Sequence, residues 1–202
     1  MAIEFKRTAV SGRFPEIWRG ECKILPGGFK PLQTFPVGTV LRRASLLEVD
    51  FENMTAAVIK LAEVLDGGTT KAVRVAKGHY FAAGDVITKM GDGASTPNIS
   101  SIDTTNVDYD VLNLSAAYTG LTAGDTIVES VAVSEAGATA TSKYTPNMIV
   151  GADKEFNGKG IPTIDAAYEA VVLYPSLSFS IPAEWLNGPC LKSNPNILFI
   201  KQ

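Results

Sequence analysis

The chain is poor in the residues that do chemistry. Its 202 residues include one histidine, two cysteines and two tryptophans. A lone imidazole, His79, cannot build a metal site that needs several. A hydrolytic triad would have to bring this one ring to a hydroxyl and a carboxylate, and no motif sets them beside it. Cys22 and Cys190 lie far apart; two isolated thiols are not a zinc set, and spacing does not decide whether they pair. Charge is also sparse, at 19% with a net of −3. Lys and Arg are scattered, which excludes the basic stripe of a duplex nucleic-acid binder. No run approaches the roughly 20 apolar residues of a membrane helix. The opening MAIEFKRTAV puts charges where a signal peptide needs its apolar core. The expectation is synthesis in a bacterial cytoplasm without standard export. Gly27-Gly28 and Gly67-Gly68 lack the GxxxxGK[ST] pattern of a phosphate loop, and Asn98-Ile-Ser100 is a glycosylation acceptor only in an exported chain.

What is present is apolar residue at 46%, with 18 glycines and 11 prolines. That composition buries a core and favours short strands and turns. One phrase recurs: Phe81-Ala-Ala-Gly-Asp-Val-Ile87, Leu121-Thr-Ala-Gly-Asp-Thr-Ile127 and, more loosely, Phe35-Pro-Val-Gly-Thr-Val-Leu41. Each reads as a turn feeding a strand. The glycine permits positive φ, the Asp or Thr bonds local backbone, and the residues that follow favour extended chain.

The predicted fold is mainly β: a small barrel or sandwich, a Gly/Pro-rich N-terminal arm, and a β-rich C-terminal region with one or two short helices. Residues 1–66 are read as arm and first strands, 67–133 as the central barrel, and 134–202 as the C-terminal region packing on the same module. Strands are expected over Ala56–Val64, Lys71–Val75, Asp85–Lys89, Ile99–Ile102, Tyr109–Leu114 and Thr126–Val133. In Tyr109–Leu114, Asp110, Leu112 and Leu114 share a face. Ala166–Leu173 fits helix or strand, with Val171-Val172 leaning to strand. Ile164–Tyr168 and Pro182–Asn187 read as single helical turns.

Phe5, Phe14, Trp18, Phe29 and Phe35 crowd the first segment between Gly and Pro. They either pack on the chain's own sheet or form an arm whose aromatics are buried on assembly. The carboxylates Asp103, Asp108 and Asp110 with Asn106 are dense enough to consider calcium, but their spacing is not that of an EF-hand.

The residues Leu25-Pro-Gly-Gly-Phe29, Pro36-Val-Gly-Thr39, Leu41-Arg-Arg-Ala44, Val49-Asp-Phe51, Gly67-Gly-Thr-Thr70, Arg74-Val-Ala-Lys-Gly-His79, Gly84-Asp85 and Ile102-Asp-Thr-Thr-Asn-Val-Asp-Tyr-Asp110 carry a resemblance. Over roughly its first two-thirds the chain resembles head fibre and head decoration proteins of tailed bacteriophages and prophages. The resemblance implies a non-enzymatic virion protein on the capsid exterior. It would bind the major capsid protein as a homo-oligomer, a trimer favoured, stabilise the shell, and present a surface to a host or to mucosal glycans. It implies no cofactor, metal, nucleic acid or membrane. The candidate partner contacts are Phe14, Trp18, Arg19 and Phe29. The alternative is a carbohydrate-binding or adhesin-like β-module, stacking sugars on Trp18, Trp185 and Tyr118.

Overall fold

The computed structural model describes residues 16–91, 95–133, 139–159 and 162–201. The protein is mainly β. In chain order the strands are β1 Lys23–Pro31, β2 Val40–Leu41, β3 Leu46–Asp50, β4 Thr55–Val58, β5 Leu61–Glu63, β6 Ala72–Ala76, β7 Ile87–Lys89, β8 Ile99–Asp103, β9 Tyr109–Leu114, β10 Thr126–Glu129, β11 Met148–Val150, β12 Lys154–Glu155, β13 Ile164–Leu173, β14 Leu186–Asn187, β15 Cys190–Leu191 and β16 Asn194–Ile200. Helix among the described residues is limited to two 3-10 turns, Tyr174–Ser176 and Ala183–Trp185.

One unit draws its strands from both ends of the chain. Its eight strands run β1-β4-β3-β11-β13-β16-β15-β14, and β1 also pairs with β13. Pairing therefore runs round β1, β4, β3, β11 and β13 and returns to its start. Neighbouring residues on these strands face opposite ways, and here both sides are covered. Met148 and Val150 join Phe29, Leu47, Val58, Ile164 and Ala166 in one cluster. Ile149 and Ala167 turn to the other side, against Leu46, Val172, Trp185, Ile197 and Phe199. Each fully buried Leu or Ile contributes about 1.5–3 kcal/mol relative to exposure.

The second unit lies within residues 61–129. Its two sheets run β5-β10-β7 and β6-β9-β8. Single bridges join them, Val64 to Val75 and Val86 to Asn98, so pairing again returns on itself. Inside sit Val73, Val75, Ile87, Ile99, Leu112, Leu114 and Ile127. Tyr118 is 1% exposed, and its phenol oxygen accepts the Lys89 amide at 2.6 Å. On β9, Asp110, Leu112 and Leu114 form the buried face, as the alternation predicts.

Two expectations are corrected. Ala56–Val64 is not one strand: β4 belongs to the first unit and β5 to the second, with Ile59-Lys60 crossing between them. Ile164–Tyr168 is not a helical turn but the start of β13, where Ala166 and Ala167 pair with both β1 and β11. The open choice at Ala166–Leu173 resolves to strand, while the turn expected in Pro182–Asn187 forms at Ala183–Trp185.

Candidate functional site

The repeated phrase folds into one repeated device. In Pro36-Val37-Gly38-Thr39, Ala82-Ala83-Gly84-Asp85 and Thr122-Ala123-Gly124-Asp125, the fourth amide donates to the first carbonyl at 3.1, 3.2 and 3.1 Å. The glycines take φ of 90°, 96° and 88°, as the third position of such a turn requires. A Cβ at any of the three would meet nothing within 4 Å, so the dihedral rather than lack of space selects glycine. In each bend the Gly amide and the next carbonyl both pair with one residue of a neighbouring segment. That residue is Phe156 (2.7 and 2.9 Å), Ile99 (2.7 and 2.8 Å) or Val64 (2.9 and 2.8 Å).

A fourth copy carries no glycine. Ser45 donates to the Arg42 carbonyl at 3.2 Å, Ala44 takes φ 66°, and the pair of bonds to Val150 is 2.8 and 2.8 Å. Read with this geometry, Leu41-Arg-Arg-Ala-Ser-Leu-Leu47 is the same phrase with alanine in the glycine place. The closing aliphatics Leu41, Leu47, Ile87 and Ile127 are all 0% exposed. The spacing of those aliphatics was the available signal; the missing glycine hid it.

Two of the bends anchor ion pairs. Asp85 and Asp125 accept the amides of Ala82 and Thr122, both at 2.7 Å. Lys60, at the crossing between the units, then meets Asp85 at 2.8 and 2.7 Å, and Lys89 meets Asp125 at 2.9 Å. Burial pushes the Asp125 carboxyl up, but the bonds from Thr122 and Lys89 outweigh it and hold it below its ordinary value. Lys60 also lies 3.6 Å from Glu129, whose other oxygen takes Lys143 at 2.7 Å. The side chains of Lys60, Asp85 and Glu129 are only 8%, 14% and 7% exposed. Charges this deep persist only when paired.

His79 stands beside this chain of charges. Its Nε2 is 3.2 Å from Asp110, which Lys77 meets at 2.8 Å. Nε2 faces that carboxylate without the alignment of a directed hydrogen bond. Nδ1 accepts the Phe81 amide at 3.2 Å. Burial pushes the ring's pKa down, outweighing the pull of Asp110. No hydroxyl is hydrogen-bonded to His79 among the described residues; the neighbouring Tyr80 phenol is held by the Arg42 amide and Ser45 at 2.9 Å each. Among the described residues the histidine meets an acid but is hydrogen-bonded to no hydroxyl, and a triad sets both beside it.

The candidate contacts are placed as follows. Phe14, like Phe5, lies outside the described residues. Trp18 bridges Val172 and is half-buried, and the Arg19 amide donates to Val171 at 2.8 Å, so Ile17–Arg19 runs along β13. The Arg19 side chain is exposed, 3.7 Å from Glu16. Phe29 is 3% exposed, edge-on to Phe51, and its ring is not presented to a partner. Phe35 packs 4.8 Å from Phe156. Of the aromatics considered for sugar stacking, Tyr118 and Trp185 are buried and form no exposed line with Trp18. Asp110 turns inward, away from Asp103 and Asp108, and no group of three or more His, Cys, Asp or Glu among the described residues could hold a metal ion. Cys22 and Cys190 are both unpaired thiols.

A concavity of about 450 Å³ runs between the end of β1 and β12, with Phe35, Val37 and Phe156 beside Lys30, Lys154 and Lys159. A second of about 410 Å³ separates the bend at Pro36 from His79 and Ile102. No family model, no curated protein and no solved structure matches the chain.

Proposed function

We propose that the protein is a non-enzymatic accessory protein of a tailed-bacteriophage capsid. In this reading it is a head fibre or decoration subunit, made in the bacterial cytoplasm and carried on the virion exterior. It binds the outer face of the major capsid protein as a homo-oligomer, with a trimer favoured. The two returning rings of strands are small barrels, and the residues ahead of β1 act as an arm.

The observation that carries the reading is where the resembling motifs fall. Leu41–Ala44 leads into the alanine bend, Gly84-Asp85 is the bend that holds Lys60, and Arg74–His79 with Ile102–Asp110 surrounds the pairings of Asp110. These motifs shape backbone and cover buried charge. A protein that reinforces a shell needs a stiff frame of this kind, with its specificity on the outside. The buried rings of Tyr118 and Trp185 lend no support to the sugar-binding alternative.

The test is co-sedimentation with purified empty shells of the phage whose genome encodes the chain. Saturable binding is expected. Absence of binding at saturating protein overturns the reading. A deletion of residues 1–15 leaves β1 whole, whereas a longer cut through Gly28 would remove much of it. Loss of shell binding by the shorter deletion assigns the contact to the arm.

A further inference from the structure

The loop between β8 and β9 is a knob that the fold does not use. Residues 103–108 are all exposed, and Val107 is 86% exposed. The loop is nonetheless held in shape. Asp103 accepts the Thr105 amide at 3.0 Å and its hydroxyl at 2.7 Å, and Asn106 accepts the Asp108 amide at 2.9 Å. At its base Lys77 reaches the Thr104 carbonyl at 3.4 Å while committed to Asp110. An apolar tip is thus carried between two carboxylates on a preformed turn, which lowers the ordering cost of docking.

The 450 Å³ groove is the complement. Phe35 and Phe156 make an apolar floor, and Val37 on its edge is 73% exposed. Lys30, Lys154 and Lys159 surround it against one carboxylate, Glu155, and make no ion pair among the described residues.

We propose that the loop of one copy docks into the groove of a second copy, with Val107 on the aromatic floor and Asp103 and Asp108 toward the lysines. The inference rests on the homo-oligomer reading above and names its contact. A chain of net charge −3 repels its copies only mildly, and opposed local patches set register and orientation.

Sedimentation velocity of the full chain tests it. Association is expected for the wild type, weakening as salt rises because charges at a rim are screened. Val107→Lys/Asp108→Lys reverses the knob and leaves the Asp103 turn intact. Lys154→Glu/Lys159→Glu reverses the groove. Each variant alone should associate at least about tenfold more weakly, with an unchanged melting temperature. An equimolar mixture should recover association, since each loop then meets a groove of opposite sign. A wild type that stays monomeric at all concentrations sinks both the oligomer reading and this contact. Wild-type association untouched by either variant, or a mixture that does not recover, sinks the contact alone.

Discussion

Within residues 61–129, strands that pair are often close in sequence. β8 and β9 form a hairpin, and β6 pairs with β9 some way along the same segment. In the other unit Lys23 of β1 meets Glu169 of β13 across 146 residues, and β3 pairs with β11. The charge is distributed unequally as well. Lys60, His79, Asp85, Asp110 and Glu129 are buried in the inserted unit or at its junction. The unit built from both ends is held chiefly by apolar clusters. The contrast teaches that one region depends on paired charges and tight bends, and the other on contacts that form only when distant segments meet. Long-range pairings close large loops before they gain contacts, so the second kind is expected to form later.

The sharpest break in the comparison is Lys60→Ala. It leaves Asp85 buried without its cation and Glu129 with Lys143 alone, and should cost about 3–5 kcal/mol in urea unfolding. A loss below about 1 kcal/mol would mean that water already compensates these acids. Ile149→Ala, in the apolar unit, should cost about 2–5 kcal/mol. Because the buried members of the Ile149 cluster are all apolar, that cost should be the same at neutral and mildly acid pH.

The four bends come next. Alanine at Gly38, Gly84 or Gly124 should cost about 1–2 kcal/mol each through the left-handed backbone. Ala44→Gly relieves that strain but removes a buried methyl, so its net effect should stay within about 1 kcal/mol of zero. If Gly84→Ala proves neutral, the bend is softer than its bonds suggest.

His79 gives a pH signature in the inserted region. Burial holds its folded pKa below the ordinary 6.5, so the unfolded ring takes a proton first as pH falls. Its contribution is full above about 6.5 and is lost as pH drops through the folded value. The carboxyls of Asp50, Asp103 and Asp125 are held low, and they give way only under stronger acid, below their ordinary 3.8. Chemical denaturation at several pH values should therefore show a slope between neutral and mildly acid pH that His79→Gln flattens; equal slopes in the two proteins refute the assignment. The smallest effect is at Cys22, whose thiol pKa is raised by burial. It should alkylate more slowly in the folded protein than after unfolding.

The inserted unit was the more legible of the two. Its strands β6 and β9 alternate, because one face is buried and the other is nearer water. Its bends announce themselves through Gly-Asp. Ala56–Val64 showed no alternation because Ala56 and Val58 enter one cluster while Ala57, between them, is equally buried. A strand covered on both faces has no polar side to mark its period. The helical turn expected at Ile164–Tyr168 failed for a related reason. Small alanines there suit three strands crowding together, and that crowding involves partners far away in the chain. The ionic cluster was only partly legible: Asp85 stands in the recurring phrase, but Lys60 and Glu129, which meet across the junction, belong to no motif. The alanine bend was hidden because Ala44 adopts a conformation that neighbours impose, not one that alanine prefers.

Order along the chain determined where the backbone turns, since φ preferences and hydrogen bonds spanning three residues are local, and it determined that the elements would be short strands. Assembly in three dimensions alone decided which strands share a sheet, where charge is sealed in, and that an alanine would do a glycine's task. Those outcomes depend on the energy of contacts between segments far apart in sequence, from 25 residues for Lys60 and Asp85 to 146 for Lys23 and Glu169, which no local pattern encodes.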